Sequence, residues 1–505
     1  KGRKPMRLFG RWKRAAVGVA SVAAAMALAT GCGKKAAASP DQRYKEAEQK
    51  QVKEFSESFL GAYDTSREKL ASDKVASGEG TMTITVSDDA KKTMQALSGG
   101  TDFSWLTKLG MQMKAKVGKT ALEENVALSL NDKPLGTMNL FMSDEALYMQ
   151  IPELAEKFMK IPTDELGGRE NFAKTFEQYK KMPEGKQLDK VITGYSKLIT
   201  DAAKNVQESK EDVTVGNHTV NATKLEATFE GEQLTELQKK IVAAASDDQD
   251  LAAVVKGFVG DDGYTQFKDE IDKAKSNPTE IQGKLISTIW LGEGDKIVAR
   301  EIRIENPNSN ENYVFSMKAP NKGNEFASEV AFSEDGKELF NVSGSGSNDG
   351  KKMSGVFTFT QNGEQVGVLM LDELDLAAMK KGELTAKGKF KLAGGSSTSV
   401  MDLSAFSFGF DVAETEKSTK MTVTVNKDDN EFVTMALDST RSEGGEEPTA
   451  PAEDASVDVS NNTEAENFVK GANWNGFLGQ LRQTDIPSNY LDLMENSLKS
   501  AGYMQ

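Results

Sequence analysis

The chain is poor in the residues that most enzymes work with: one cysteine and one histidine stand in 505 residues. A single thiol excludes an intramolecular disulfide, and together they exclude a Cys/His zinc site and most catalysis that pairs a histidine with a second group. Positive charge is in deficit too. Lys plus Arg is 62 against 77 for Asp plus Glu, a formal net charge of −15, which argues against a nucleic-acid surface. The glycine-rich pieces Gly344-Ser345-Gly346 and Gly394-Gly395 have no Gly-Lys-Ser/Thr after them, so they read as hairpin turns rather than phosphate loops. The acidic clusters Asp88-Asp89, Asp247-Asp248-Gln249-Asp250, Asp261-Asp262-Gly263 and Asp428-Asp429 lack the EF-hand spacing and read as caps and turns. No metal and no cofactor is expected. A strand-helix-strand alternation is also missing, which argues against a two-lobed solute-binding fold.

What is present begins with a targeting segment. Residues 1–14 are basic, with no acid before residue 32, and residues 15–30 (AAVGVASVAAAMALAT) are small and apolar, in the order of an export signal. That apolar run is short for a membrane helix. Ala29-Thr30-Gly31-Cys32 follows and is similar to the bacterial lipobox, with Ala29 where leucine is usual. The resemblance implies cleavage before Cys32 and its modification by diacylglycerol and a further acyl chain such as palmitate. Two or three buried chains give stable anchoring. The expected location is therefore the outward face of a cell membrane, with the membrane itself as partner through Cys32.

Residues 32–43 read as a polar, disordered tether. From Tyr44 to about Ser72 the apolar residues Val52, Phe55, Phe59, Leu60, Tyr63 and Leu70 recur at helical spacing. At Gly78 the period becomes 2: Met82, Ile84 and Val86 alternate with Thr81, Thr83 and Thr85. Further strands are expected at 111–119, 122–130, 135–142 and 146–151, as a meander. Residues 94–109 interrupt the first pair with a loop or short helix bearing Phe103, Trp105, Leu106 and Leu109.

Helical spacing returns from Pro152 to about Gln207, through Leu154/Phe158, Phe172/Phe176/Tyr179 and a run from Leu188 to Val206. A hairpin at 212–216 and 218–229 precedes three helical stretches at 232–246, 247–259 and 262–276. After Pro278 nearly everything to Ser439 is strand-like, with turns at Asp335-Gly336, Asp349-Gly350, Asn362-Gly363 and Asp428-Asp429-Asn430 and a bulge expected near Arg300. Residues 442–464 are acidic and rich in Pro, Ser and Ala, and read as a disordered linker before a short helical tail at 465–505 that folds back on the body. The organisation is thus signal 1–31, tether 32–43, a helix and first sheet over 44–277, a second β section over 278–441, linker and tail. The fold class is α+β: a large curved antiparallel sheet packed on helices, with two linked sheets as an option.

Leu147-Tyr148-Met149-Gln150-Ile151-Pro152-Glu153-Leu154, a strand entering a helix, and Gly216-Asn217-His218-Thr219-Val220-Asn221-Ala222-Thr223-Lys224-Leu225, a hairpin into a long strand, resemble the LolA-like and LppX-like superfamily of lipoprotein-carrier half-barrels. Over residues 44–440 the chain is also similar to uncharacterised lipoproteins of Gram-positive bacteria. The resemblance implies an apolar cavity between sheet and helices.

His218, beside Asn217 in the hairpin, reads as an exposed turn residue. The 20 methionines against 4 tryptophans suit ordinary core packing or an adaptable apolar surface. The expected function is that of a non-catalytic, membrane-anchored lipoprotein holding a lipid or other apolar ligand. The candidate lining is Phe103, Trp105, Leu109, Leu140, Met142, Met149, Leu154 and Phe158, which lie on apolar faces near the strand-to-helix junction. The alternatives are a structural or interaction lipoprotein of the cell envelope with no small ligand, and an envelope hydrolase using two carboxylates.

Overall fold

The structure is a computed structural model and describes residues 38–70, 74–163, 181–277, 283–306, 312–393 and 403–504. The signal segment, Cys32 and the Phe172/Phe176/Tyr179 stretch lie outside the described residues. In chain order the elements are α1 (Pro40–Leu70), β1 (Ala76–Val86), α2 (Asp88–Leu97), β2 (Lys108–Val117), β3 (Ala121–Leu130), β4 (Lys133–Ser143), β5 (Ala146–Gln150) and β6 (Phe158–Pro162). There follow α3 (Gly185–Ala202), β7 (Gln207–Val215), β8 (His218–Glu230), α4 (Gly231–Asp247), α5 (Gln249–Ser276), β9 (Lys284–Leu291) and β10 (Ile297–Glu305). Then come β11 (Tyr313–Lys318), β12 (Asn321–Lys322), β13 (Glu325–Glu334), β14 (Lys337–Asn348), β15 (Lys352–Gln361), β16 (Glu364–Asp375), α6 (Leu376–Met379) and β17 (Leu384–Leu392). The last are β18 (Phe406–Glu414), β19 (Ser418–Lys427), β20 (Asn430–Glu443), β21 (Ser456–Asp458), α7 (Asn462–Gly471), α8 (Trp474–Leu481) and α9 (Ser488–Ser500). The class is α+β, with a large, mostly antiparallel sheet packed on helices.

Period-2 alternation and turn chemistry account for the strands. Asn131-Asp132, Asp335-Gly336, Asn362-Gly363 and Asp428-Asp429 all have positive φ at both positions, as two-residue hairpin turns of the right twist require. The helical stretch after Asp248 breaks where glycine allows it: Gly260 has φ 74° and ψ 178° inside α5. The Asp248 carboxylate accepts from the Leu251 amide at 3.0 Å and caps that helix.

The chain forms two compact units. Of the described residues, the first combines those from 38 to 68 with those within 181–381 and 390–393. Its strands pair antiparallel in the order β7, β8, β9, β10, β11, β13, β14, β15, β16, with β12 a short addition on β13. Tyr44 and Ala47 of α1 and Leu237 of α4 close a core over Leu225, Phe229 and Ile289 of β8 and β9. Because β9 pairs directly with β8, α4 and α5 are an insertion between neighbouring strands. The division expected at 277/278 therefore falls inside this unit.

Of the described residues, the second unit combines those within 69–163, 382–389 and 403–504. Its strands run β18, β19, β20, β1, β2, β3, β4, β5, β6, antiparallel throughout, with β21 parallel on β6. The tail returns to this unit: Leu478, Leu481 and Leu491 form a buried cluster with Leu135 and Phe477.

Several expectations are corrected. Helix α1 starts at Pro40, inside the expected tether, where a missing amide costs nothing in a first helical turn, and residues 32–37 lie outside the described residues. Arg43, within the expected tether, pairs with Glu208 and Asp295 at 2.9 Å each. Leu154 and Phe158 do not share a helix. Leu154 is in a turn and Phe158 opens β6, whose ladder to β5 overrides the four-residue spacing. Within residues 442–464 the chain forms the end of β20, a 3-10 turn at Glu453–Ala455, β21 and the start of α7, while 444–452 are irregular and mostly exposed. Backbone pairing with β6 supplies the order that side-chain composition does not. The bulge expected near Arg300, by contrast, is present, between Ile297 and Ala299.

Candidate functional site

In the second unit the two sides of the sheet differ in chemistry. On one side stand Thr81, Thr83 and Thr85 of β1, Gln112, Lys114 and Lys116 of β2, and Lys420, Thr422 and Thr424 of β19. On the other, the register aligns apolar residues in rows across the strands. One row runs Val412, Met421, Leu437, Met82, Met111, Leu128 from β18 to β3. The next runs Phe410, Val423, Met435, Ile84, Leu109, Leu130. Six strands at about 4.8 Å spacing make each row roughly 24 Å long. Leu130 is buried, whereas Met82, Ile84, Met111, Met421, Val423 and Met435 are half-buried and Leu128 and Phe408 remain 36% exposed. The face continues onto β4 and β5, where Leu140 pairs with Met149 and Met142 with Leu147, and Glu124 of β3 stands opposite Leu140.

Of the residues expected to line a cavity, Leu109, Leu140, Met142 and Met149 share this face. Phe158 does not. It packs with Phe141, Tyr148, Ala146 and Ala121 in a closed cluster on the opposite side, where the Phe141 and Tyr148 rings meet edge to face at 5.7 Å. Leu154 lines a separate cleft of about 710 Å³ with Val457, Phe468 and Asn473, and its carbonyl accepts from the Asn473 amide at 2.8 Å. Phe103 and Trp105 lie in the loop between α2 and β2. The Trp105 indole donates to the Asp102 carbonyl at 3.0 Å, and its ring stands 6.2 Å from that of Tyr490 on α9. The expected lining is therefore distributed over distinct places, and only its strand members on β2, β4 and β5 come together.

Sequence reasoning missed the contribution of β18 to β20. Their alternation is legible in Met421/Val423/Val425, but that β20 lies beside β1 follows only from a pairing that joins Ala76 to Glu443 and Val86 to Val433. No local signal announces a contact of that separation.

Polar groups singled out in the sequence, and one that was not, make local contacts. His218 is half-buried rather than exposed, its side chain 19% accessible with Nε2 3.7 Å from Glu325, because the hairpin end it occupies approaches β13. Asp88 pairs with Lys91 at 2.7 Å, and that hydrogen bond holds its carboxyl below the ordinary aspartate value. Among the described residues no three His, Cys, Asp or Glu side chains converge as a metal site. Glu153 accepts from the Thr137 amide at 3.0 Å through one oxygen, while the other is buried without a hydrogen-bond partner beside Gly136.

Among the described residues, the most buried ion pair belongs to the first unit. Arg300 of β10 donates to Glu48 of α1 and to Gln51, and the Tyr44 phenol donates to Ser287 at 2.8 Å. Burial first, and the Glu48 charge second, push the Tyr44 phenol well above its ordinary value, so it is a neutral donor. This cluster fixes a helix to a strand.

No helix among the described residues is long and apolar enough to cross a membrane. No protein-family model matches the chain, and no curated protein matches it.

Proposed function

We propose that this chain is a membrane-anchored, extracytoplasmic lipoprotein without catalytic activity that holds a lipid or other apolar ligand. The ligand site in this reading is the apolar face of β18, β19, β20 and β1 to β5. One observation carries it: rows of Met, Val, Leu, Ile and Phe cross six strands on one side while Thr and Lys occupy the other, and the apolar side is left half-buried. A sheet that needed only a core would bury that side fully. Methionine, with its flexible thioether, accommodates chains of varying shape. Each 100 Å² of ligand surface that leaves water contributes about 2.5 kcal/mol before association costs. Diacylglycerol on Cys32 would keep the protein beside its lipid source.

Native mass spectrometry of the chain purified from a bacterial envelope fraction, before and after organic extraction, tests both parts. The expected result is a reproducible bound mass that extraction removes, and an N-terminal peptide beginning at Cys32 with the mass of attached acyl chains. A clean apo mass that stays unchanged on incubation with membrane lipids overturns the ligand reading. An unmodified Cys32 thiol overturns the anchor.

A further inference from the structure

We propose that the first unit carries a second apolar site, in which the aromatic face of β11 and β13 to β16 takes the hydrocarbon chain of a lipid. The ligand class rests on the reading above, but the site is separate. The face that holds Leu225 and Ile289 under the helices continues along the register through Arg300, Met317, Val330, Val342 and Phe359 to Gly367. A neighbouring row runs Ile302, Phe315, Phe332, Phe340. The covered part of that row closes with Arg300, which Glu48 neutralises, and with Met317 beside it, which is 7% accessible. Past that border Phe315, Phe332, Phe340, Phe357 and Phe359 are half-buried.

Three rings of this face, Phe326, Phe357 and Phe390, lie over glycines. A Cβ on Gly344 would run into the Phe357 ring, one on Gly367 would meet Phe390 Cζ at 2.5 Å, and one on Gly355 would meet Phe326 Cζ at 3.2 Å. Phe326 and Phe357 stack at 6.0 Å and 29°. Glycine and phenylalanine are thus interleaved to make an aromatic floor, on which the Phe359 ring meets that of Phe390 edge to face at 71°. Five strands at about 4.8 Å and three two-residue steps along them give roughly 19 by 20 Å, or about 400 Å². That is as large as the apolar patches that soluble monomers keep for a use.

The size and polarity of this floor select its occupant. A stable protein interface needs about 800 Å² per partner and roughly one hydrogen bond per 100–200 Å². The floor offers half that area, and from Met317 to Gly367 and from Phe315 to Phe340 its rows carry no ionisable side chain. A hydrocarbon chain needs neither the area nor the hydrogen bonds.

The test is photolabelling of the full chain with palmitic acid bearing a diazirine in its chain, followed by peptide mapping. Label is expected on peptides within 313–371 as well as on peptides within 82–149. Phe357→Gln should lower the first label at least fivefold and leave the second unchanged, whereas Val356→Gln, on the opposite side of the same strand, should change neither. If Phe357→Gln does not fold, the map of the unsubstituted chain decides. Label confined to 82–149 overturns the second site and leaves the proposed function standing, and no label anywhere overturns both. A dimer of this chain that excludes label from 313–371 also overturns the second site.

Discussion

Arg300 grips Glu48 with both terminal nitrogens, at 2.8 and 2.6 Å, joining the first helix to a strand 252 positions later in the chain. Glu48 is 6% accessible and Arg300 19%. A pair this far from water gains little over an apolar pair but loses heavily when halved. Glu48→Ala should therefore destabilise the first unit by about 3–5 kcal/mol. The double substitution Glu48→Leu with Arg300→Met should recover most of the loss. Urea unfolding of the three variants checks both statements, and equal loss in single and double variants would show that the charges do more than satisfy each other.

Asp485 ties the tail to the turn after β3. It accepts from Lys133 at 2.5 Å and from Asn131 at 2.7 Å, and these bonds, Lys133 first, hold its carboxyl below the ordinary aspartate value. A depressed folded-state value means that the contribution is present above the unfolded value, about 3.9, and is lost as pH falls through the folded one. Protection of α9 amides against hydrogen exchange should accordingly drop between about pH 4 and pH 2. Asp485→Asn should weaken protection at pH 7 and reduce its loss on acidification. An unaltered acid profile in that variant would move the cause to another carboxylate.

The face of each strand follows from its own sequence, but the partner of each strand does not. Thr81-Met82-Thr83-Ile84 states its period within four residues, and Asn362-Gly363 states its turn by positive φ at both positions. Leu140, Met142 and Met149 could be grouped because a meander pairs strands in chain order. Phe158 could not be placed that way. Its face depends on the register of β6 against β5, which pairs Met149 with Met159 and so turns Phe158 to the Tyr148 side. The closure of β20 on β1 and the docking of β21 on β6 rest on backbone pairing between distant segments, to which composition is blind. Acidic residues around Val457 predict disorder for the same reason, since a parallel ladder asks little of the side chains.

Neighbouring residues on β4 separate the open face from the closed cluster. Phe141 is 4% accessible and locked against Tyr148, so Phe141→Ala should cost about 3–5 kcal/mol. Leu140 points to the half-buried face. Leu140→Lys should cost about 1 kcal/mol in urea unfolding, a cost that snorkelling of the long side chain keeps small. Its bound lipid in native mass spectrometry should fall severalfold, while Phe141→Ala should retain lipid under conditions where it remains folded. The reverse pattern would place the ligand on the Phe141 side.

Two glycines of β14 distinguish a ring laid over backbone from a backbone that is itself too close. At Gly344 an added Cβ meets only the Phe357 ring, which can swing away. At Gly346 it meets the carbonyl oxygen of Ser354 on the paired strand, which cannot move without parting the ladder. Gly344→Ala should therefore cost about 1 kcal/mol and lift Phe357 from the floor, whereas Gly346→Ala should cost about 3 kcal/mol. Thermal unfolding gives the order of the two costs, and palmitate labelling of the 313–371 peptides gives the state of the floor. If Gly344→Ala retains full stability but loses label, the flat ring belongs to the ligand site rather than to the packing of the strands.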